Sequence, residues 1–299
     1  MNFNIWIQAA RLRTLPLALA STIMGIIVAY RHNEFQWDVS LFALITTFLL
    51  QVLSNFANDY GDGVKGTDKN RVGPARTVQS GNISPEEMKQ GITVTAFLAL
   101  ISGIILIAVS EVDAFFSVIF LILGLIAIWA AIKYTVGKKA YGYYGLGDLF
   151  VFLFFGLLAV IGVFYLQTNY FSIDILFPAI SLGLLSTAVL NLNNMRDIQN
   201  DKLVGKRTVA VILGLKRAKL YHILLINLSF FSLLVFMNLS KMEWYVYLVF
   251  LFYIRFVKDL IKIDKVTEPK QLDVFLKKTA LNTLGMVILL GIMVIISEL

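Results

Sequence analysis

Val39-Ser-Leu-Phe-Ala-Leu-Ile-Thr-Thr-Phe-Leu-Leu-Gln-Val-Leu-Ser-Asn-Phe-Ala57 is an apolar run that passes directly into Asn58-Asp59-Tyr60-Gly61-Asp62-Gly63-Val64-Lys65. The run is the right length for a bilayer-crossing helix, which takes about 20 mostly apolar residues. A carboxylate at membrane depth costs several kcal/mol unless it is paired or binds a cation. If the helix continues past Ala57, Asn55, Asn58, Asp59 and Asp62 share one stripe, with Gln51 one turn before them. Carboxylate and amide oxygens on one stripe suit Mg²⁺, which keeps several waters and is completed by substrate phosphates.

The rest of the 299-residue chain fits this reading. Hydrophobic residues make up 58% and charged residues 15%, with a mean hydropathy of +0.78. That is too apolar for a water-soluble core. Nine apolar stretches emerge, at about Leu15–Arg31, Val39–Ala57, Gly91–Ser110, Ala114–Ile132, Leu146–Leu166, Ile173–Leu192, Leu220–Leu239, Glu243–Ile261 and Thr279–Ser297. Each must satisfy its own backbone in lipid, so each is expected to be a helix. The fold expected is an all-α integral membrane bundle of nine transmembrane helices, a single domain over residues 1–299, with long polar segments at about 58–90 and 193–219. There is no cysteine, which excludes disulfides and thiolate chemistry, and no cleavable signal peptide is evident.

The net charge of +7 reads as topology rather than as a nucleic-acid partner. With the N-terminus in the cytoplasm, every Lys and Arg except Arg31 and Lys241 falls on the cytoplasmic side. The C-terminus is then outside. The residue pattern carries no signal for oligomeric state.

A second polar cluster closes the sixth span: Asn191-Leu-Asn193-Asn194-Met-Arg196-Asp197-Ile-Gln-Asn-Asp201. Asn193, Asp197 and Asp201 fall at four-residue steps, with Lys206 and Arg207 behind them. Four spans separate the two clusters, so both face the same side, as in a weak internal duplication. Carboxylates alone repel a diphosphate, whereas carboxylates holding Mg²⁺ beside Lys and Arg bind one. A third polar segment runs from Tyr134 through Lys138 to Asp148. It reads either as part of a diphosphate site or as an interfacial Tyr/Lys belt. Asp148 is a third pocket carboxylate or an N-cap, and Arg76 a carboxylate reader or one more topological charge.

At these residues the chain resembles the UbiA superfamily of intramembrane prenyltransferases, closest to its menaquinone branch. The matching stretches are Arg13-Thr-Leu-Pro16, Leu53-Ser-Asn55 through Asp68, Tyr134-Thr-Val-Gly137, Tyr141-Gly-Tyr-Tyr-Gly-Leu-Gly-Asp148, Ala188 through Asp197, and Gly205-Lys-Arg-Thr208. The resemblance implies a helical bundle around a central cavity and Mg²⁺-dependent transfer from a polyprenyl diphosphate to 1,4-dihydroxy-2-naphthoate with loss of CO₂. It places the metal at Asp59, Asp62, Asp197 and Asp201, with Asn58, Asp68 and Asn193 as further oxygen donors. It places substrate contacts at Asn55, Asn58, Lys65, Arg76, Tyr134, Lys138, Asn193, Asn194, Arg196 and Lys206. The first motif's usual last Asp falls on Gly66. In the second, Asn193 and Arg196 replace Asp and Tyr, which is the naphthoate-branch pattern and counts against a 4-hydroxybenzoate enzyme. A bacterial inner membrane is the expected setting.

A rival from another class is an ion-coupled transporter, since intramembrane Asp also marks ion sites. Transporters place such sites near the midplane on broken helices. Here both clusters sit at one end, beside basic segments.

Overall fold

A computed structural model describes residues 3–66, 76–137 and 139–298, and these are all helix and connecting segment, with no strand among them. Asp68 and Lys138 lie outside the described residues. The helices are α1 (Phe3–Ala10), α2 (Leu15–Arg31), α3 (Trp37–Lys65), α4 (Pro85–Val109), α5 (Ala114–Lys133), α6 (Gly147–Thr168), α7 (Leu176–Arg196), α8 (Ile198–Leu203), α9 (Val209–Leu239), α10 (Leu251–Lys265) and α11 (Asp273–Ser297).

Eight of the expected spans are helices long and apolar enough to cross a membrane. The eighth stretch in chain order, Glu243–Ile261, behaves differently. Its uncharged part runs only from Trp244 to Ile254, and it folds as a 3₁₀ segment, Trp244–Phe250, followed by the basic helix α10. It still travels the height of the bundle. At one end the Arg31 guanidinium donates to Glu298 (2.8 Å) and to the Ser240 carbonyl (3.2 Å). At the other, Asp273 at the start of α11 meets Arg196 and Arg13. The chain between Ser240 and Asp273 therefore connects opposite ends. Lys219 secures the turn between α10 and α11 by donating to the carbonyls of Asp264 (2.8 Å) and Val266 (2.7 Å), as a cation does at a helix C-terminus.

Two expected boundaries move for local reasons. α3 runs on through the polar cluster to Lys65, so Asn58–Lys65 is helix rather than loop, and Gly66 (φ 67°) ends it in the left-handed conformation. α4 begins at Pro85, before Gly91. A capping box starts it: Ser84 Oγ accepts from the Glu87 backbone N–H while the Glu87 carboxylate accepts from the Ser84 N–H.

α2 and α7 occupy the interior, with α2 packed on α3, α6 and α11, and α7 packed on α6, α9 and α11. Close approach depends on small residues. A β-carbon built on Gly156 of α6 falls 2.7 Å from the Ala179 carbonyl and 2.7 Å from the Gly183 Cα of α7. No side chain fits there without moving backbone. Gly156→Leu is therefore expected to lower the melting temperature of the purified protein in detergent, or to prevent its accumulation. Gly124→Ala, with nothing within 4 Å of the added carbon, does not lower melting in the same thermal-shift assay, since Ala is the better helix former.

Candidate active site

A cavity of about 790 Å³ opens among α2 to α7 and the start of α11. At one end its wall carries Asn58 and Asp62 from α3, Arg76, Tyr134, Asn193 from α7, and Lys206. Below this polar rim the wall is mainly apolar, with Thr46, Thr47 and Ser54 of α3 among it, and it reaches Ala43, Leu106 and Leu166 near the far ends of α3, α4 and α6. One chamber thus joins a charged mouth to a hydrocarbon-like shaft running most of the bundle's height.

The two Asp-rich helix ends meet around Tyr143. Its hydroxyl donates to Asp62 Oδ1 at 2.8 Å, and Arg76 donates to Asp62 Oδ2 at 3.1 Å. The Lys65 ammonium lies 4.0 Å from the centre of the Tyr143 ring and the Lys206 ammonium 5.4 Å from it. Lys206 in turn lies 3.9 Å from Asp201. The backbone agrees, since the Arg207 N–H donates to the Tyr143 carbonyl at 2.9 Å. Tyr134 stands against both clusters. Burial, and then the charges of Asp148, Asp62 and Asp201, push its phenol above the ordinary tyrosine range, so it remains a protonated donor.

Of the residues expected at the site, Asn55, Asn58, Asp62, Arg76, Tyr134, Asn193 and Lys206 are on the cavity wall, whereas Asp59, Lys65, Asn194, Arg196, Asp197 and Asp201 do not line it. The shared stripe on α3 fails at Asp59. One residue past Asn58 turns about 100° around a helix, which aims Asp59 away from the cavity. There its carboxylate accepts from the Thr77 N–H (3.0 Å), the Thr77 hydroxyl (2.9 Å) and the Val78 N–H (3.1 Å). Asp59 therefore pins the turn that presents Arg76 to Asp62. Asn55 is also tied up, donating to the Ala10 carbonyl (2.8 Å) and Thr14 Oγ1 (3.0 Å).

The second cluster is not one continuous face. α7 ends at Arg196 and a new helix begins after Asp197, whose φ/ψ of −93°/8° breaks the run. Asp197 holds Arg196 through Nε (2.9 Å) and Nη2 (2.6 Å), and Arg196 also binds Asp273 (2.5 Å) and Asn193 Oδ1 (2.8 Å). Asp59 and Asp197 thus hold protein groups, and the described residues contain no preformed cluster of three or more His, Cys, Asp or Glu. Sequence reasoning passed over Tyr143 and Asp273. Tyr143 is one tyrosine among several in its segment, and Asp273 lies far from both motifs in sequence.

The sequence pattern of the UbiA prenyltransferase family matches residues 18–284. The chain belongs to that family. It is 43% identical, over 95% of its length and 93% of the relative's, to 1,4-dihydroxy-2-naphthoate octaprenyltransferase of Haemophilus influenzae. It is 48% identical to the Escherichia coli enzyme of the same name, over 77% and 75% of the two chains. Among solved structures, a UbiA homolog from Aeropyrum pernix superposes with a TM-score of 0.69 at 16% identity, over 97% of this chain and 99% of that one. A homolog from Archaeoglobus fulgidus gives 0.62 at 15% identity, over 96% and 99%. Both share the fold. As a UbiA-family chain with many apolar helices, this is a multi-pass membrane prenyltransferase.

The split between the two α3 carboxylates gives a measurable contrast. Asp59→Ala strands two buried N–H groups, each costing about 1–3 kcal/mol, and should visibly lower the melting temperature. Asp62→Asn keeps an amide oxygen for Tyr143 and Arg76, so it should lower that temperature less than Asp59→Ala while losing turnover. Equal melting of the two variants would contradict the anchoring role of Asp59.

Proposed function

We propose that this protein transfers a polyprenyl group from polyprenyl diphosphate to 1,4-dihydroxy-2-naphthoate, releasing diphosphate and CO₂ and forming the demethylmenaquinone skeleton. One observation carries the reading: a single cavity joins a cationic and carboxylate rim to an apolar shaft reaching the far side of the bundle. That combination suits a substrate with a polyanionic head and a long hydrocarbon tail. The names of the relatives at 43% and 48% identity support the naphthoate acceptor. The Archaeoglobus structure, solved with DMAPP and Mg²⁺ bound, supports the metal-dependent class.

Mg²⁺ fits the donors at the rim, which are oxygens only: Asp62 and Asn58 one turn apart on α3, and Asn193 across from them. When bound, it supplies charge stabilisation to the departing diphosphate. Arg76 and Lys206, on the same wall, add fixed positive charge where negative charge accumulates. The allylic C–O bond breaks and its electron pair leaves with the diphosphate.

The resulting allylic cation faces an aromatic ladder on the cavity wall. Tyr141 stacks on Phe150 at 4.1 Å, and Phe150 on Phe154 at 6.0 Å. Ring faces attract cations, the more so away from water. The electron-rich naphthoate ring then forms the C–C bond, and departure of CO₂ restores its aromaticity. The bacterial relatives support a bacterial cytoplasmic membrane, and the distribution of Lys and Arg supports an orientation with the N-terminus and the site on the cytoplasmic side and the C-terminus outside.

The test is turnover by purified protein with a polyprenyl diphosphate and either 1,4-dihydroxy-2-naphthoate or 4-hydroxybenzoate. The naphthoate should be prenylated with equimolar CO₂ and diphosphate, and the benzoate left untouched. EDTA should stop the reaction and Mg²⁺ restore it. Asp62→Asn should lower kcat by roughly 10²-fold or more. Turnover indifferent to chelation would reject the metal role.

A further inference from the structure

We propose that the outward face of α10 is a binding site for anionic phospholipid headgroups, extending below the polar end of the bundle. The helix has two faces. Phe256, Leu260 and Ile263 are buried. Arg255, Lys258, Lys262 and Lys265 follow one another at steps of three, four and three residues. At about 100° per residue the four fall within about 80° of arc, opposite the buried three. All four are exposed, and exposed Leu251, Ile254 and Ile261 stand among them. α10 packs chiefly on α9 and α11 and takes no part in the wall of the central cavity.

The chain does not neutralise this stripe. Among the described residues none of the four cations has a carboxylate at ion-pair distance. Asp259, at the edge of the stripe, lies 3.9 Å from Lys278 instead, and the Arg255 guanidinium rests 5.0 Å from the centre of the Phe252 ring.

Two contacts set the height of the stripe. Lys219 holds the carbonyls of Asp264 and Val266 at the polar end. Eight residues further along α9, Asn227 accepts from the Tyr253 hydroxyl at 2.6 Å. At 1.5 Å per residue that places Tyr253 about 12 Å or more toward the middle of the bundle. Arg255 precedes Asp264 by nine residues, about 13 Å of helix, and Lys258 by six, about 9 Å. Half of a hydrocarbon core is about 15 Å thick. Extended stems carry Lys262 and Lys265 to the headgroup level, whereas Lys258 and Arg255 lie deeper, where an unpaired cation is costly. A phosphate drawn down along the stripe supplies the missing charge, and Leu251, Ile254 and Ile261 meet the acyl chains. A second copy of this chain does not suit the face, because a twofold axis sets the same cations against each other. A water-soluble acidic partner covers nothing at the depth of Leu251 and Ile254.

The experiment is thermal melting of the purified full-length protein in nanodiscs of phosphatidylcholine, with and without phosphatidylglycerol, alongside native mass spectrometry of the lipid it retains. Phosphatidylglycerol should raise the melting temperature of the wild-type protein by about 5 °C. The combined variant Arg255→Gln, Lys258→Gln, Lys262→Gln should lose that difference and retain less phosphatidylglycerol. In phosphatidylcholine alone it should melt no lower than the wild type, because the unpaired cations are gone. The variant Lys89→Gln, Lys202→Gln, Arg217→Gln removes the same charge from exposed positions elsewhere and should keep the difference. A wild-type protein indifferent to phosphatidylglycerol overturns the proposal. So does a preference that survives in the α10 variant or disappears equally from both variants, which leaves the stripe a set of topological charges. Should the α10 triple variant not accumulate, Lys258→Gln alone decides, by shrinking the lipid difference or leaving it whole.

Discussion

Arg196 has no exposed side-chain surface, and its guanidinium is shared by Asp197, Asp273 and Asn193. This one group joins the end of α7 to the start of α11, and through the Arg13–Asp273 contact it reaches the junction of α1 and α2. Bringing such charges out of water is costly, and the arrangement holds because every partner is in place. Removing one member of a buried pair typically costs about 3–5 kcal/mol, since the other charge is left stranded. The cavity mouth is therefore a set of helix ends locked by internal neutralisation.

Within that frame, identical residue types do different work. Asp59 and Asp62 are three residues apart, yet Asp59 fastens a turn while Asp62 faces the chamber. Asn193 and Asp197, one turn apart, both accept from Arg196, but only Asn193 stands on the cavity wall. The division makes physical sense. Carboxylates that present ligands must keep their position when substrate arrives with its large negative charge, and the buried carboxylates supply that rigidity.

Much of this was legible in the residues. The apolar runs marked the helices, and α2 spans the expected Leu15–Arg31. The alternation of basic segments implied an odd number of crossings, and the ends joined by Arg31 and by Asp273 agree with it. Harder to read was the stretch from Trp244. Its apolar part is short and its second half is charged, so a hydropathy window sees a span where the chain builds a 3₁₀ segment and an amphipathic helix. The site was legible in which helix ends carry it, and less so in which side chains face inward. Four-residue spacing predicts a common face only while the helix is unbroken, and α7 breaks at Asp197. Tyr143 and Asp273 were invisible because their roles depend on long-range pairing.

The middle of α6 is wound differently from its neighbours. Phe152–Gly162 is π-helical, with i→i+5 bonding and so more residues per turn than the α-helical 3.6. Along this stretch the residues facing the chamber recur in pairs every four positions: Phe150 and Val151, Phe154 and Phe155, Leu158 and Ala159, Gly162 and Val163. An α-helix carries such a series about 40° around its axis at each step, and the wider π coil turns it back the other way, so α and π turns in succession hold it near one line. The smooth hydrocarbon wall is thus a property of backbone winding as much as of side-chain choice, and the length of α6 is constrained to the single residue. Dropping one position from this stretch would preserve hydrophobicity and helicity alike, yet swing the lower half of the wall out toward the surrounding lipid.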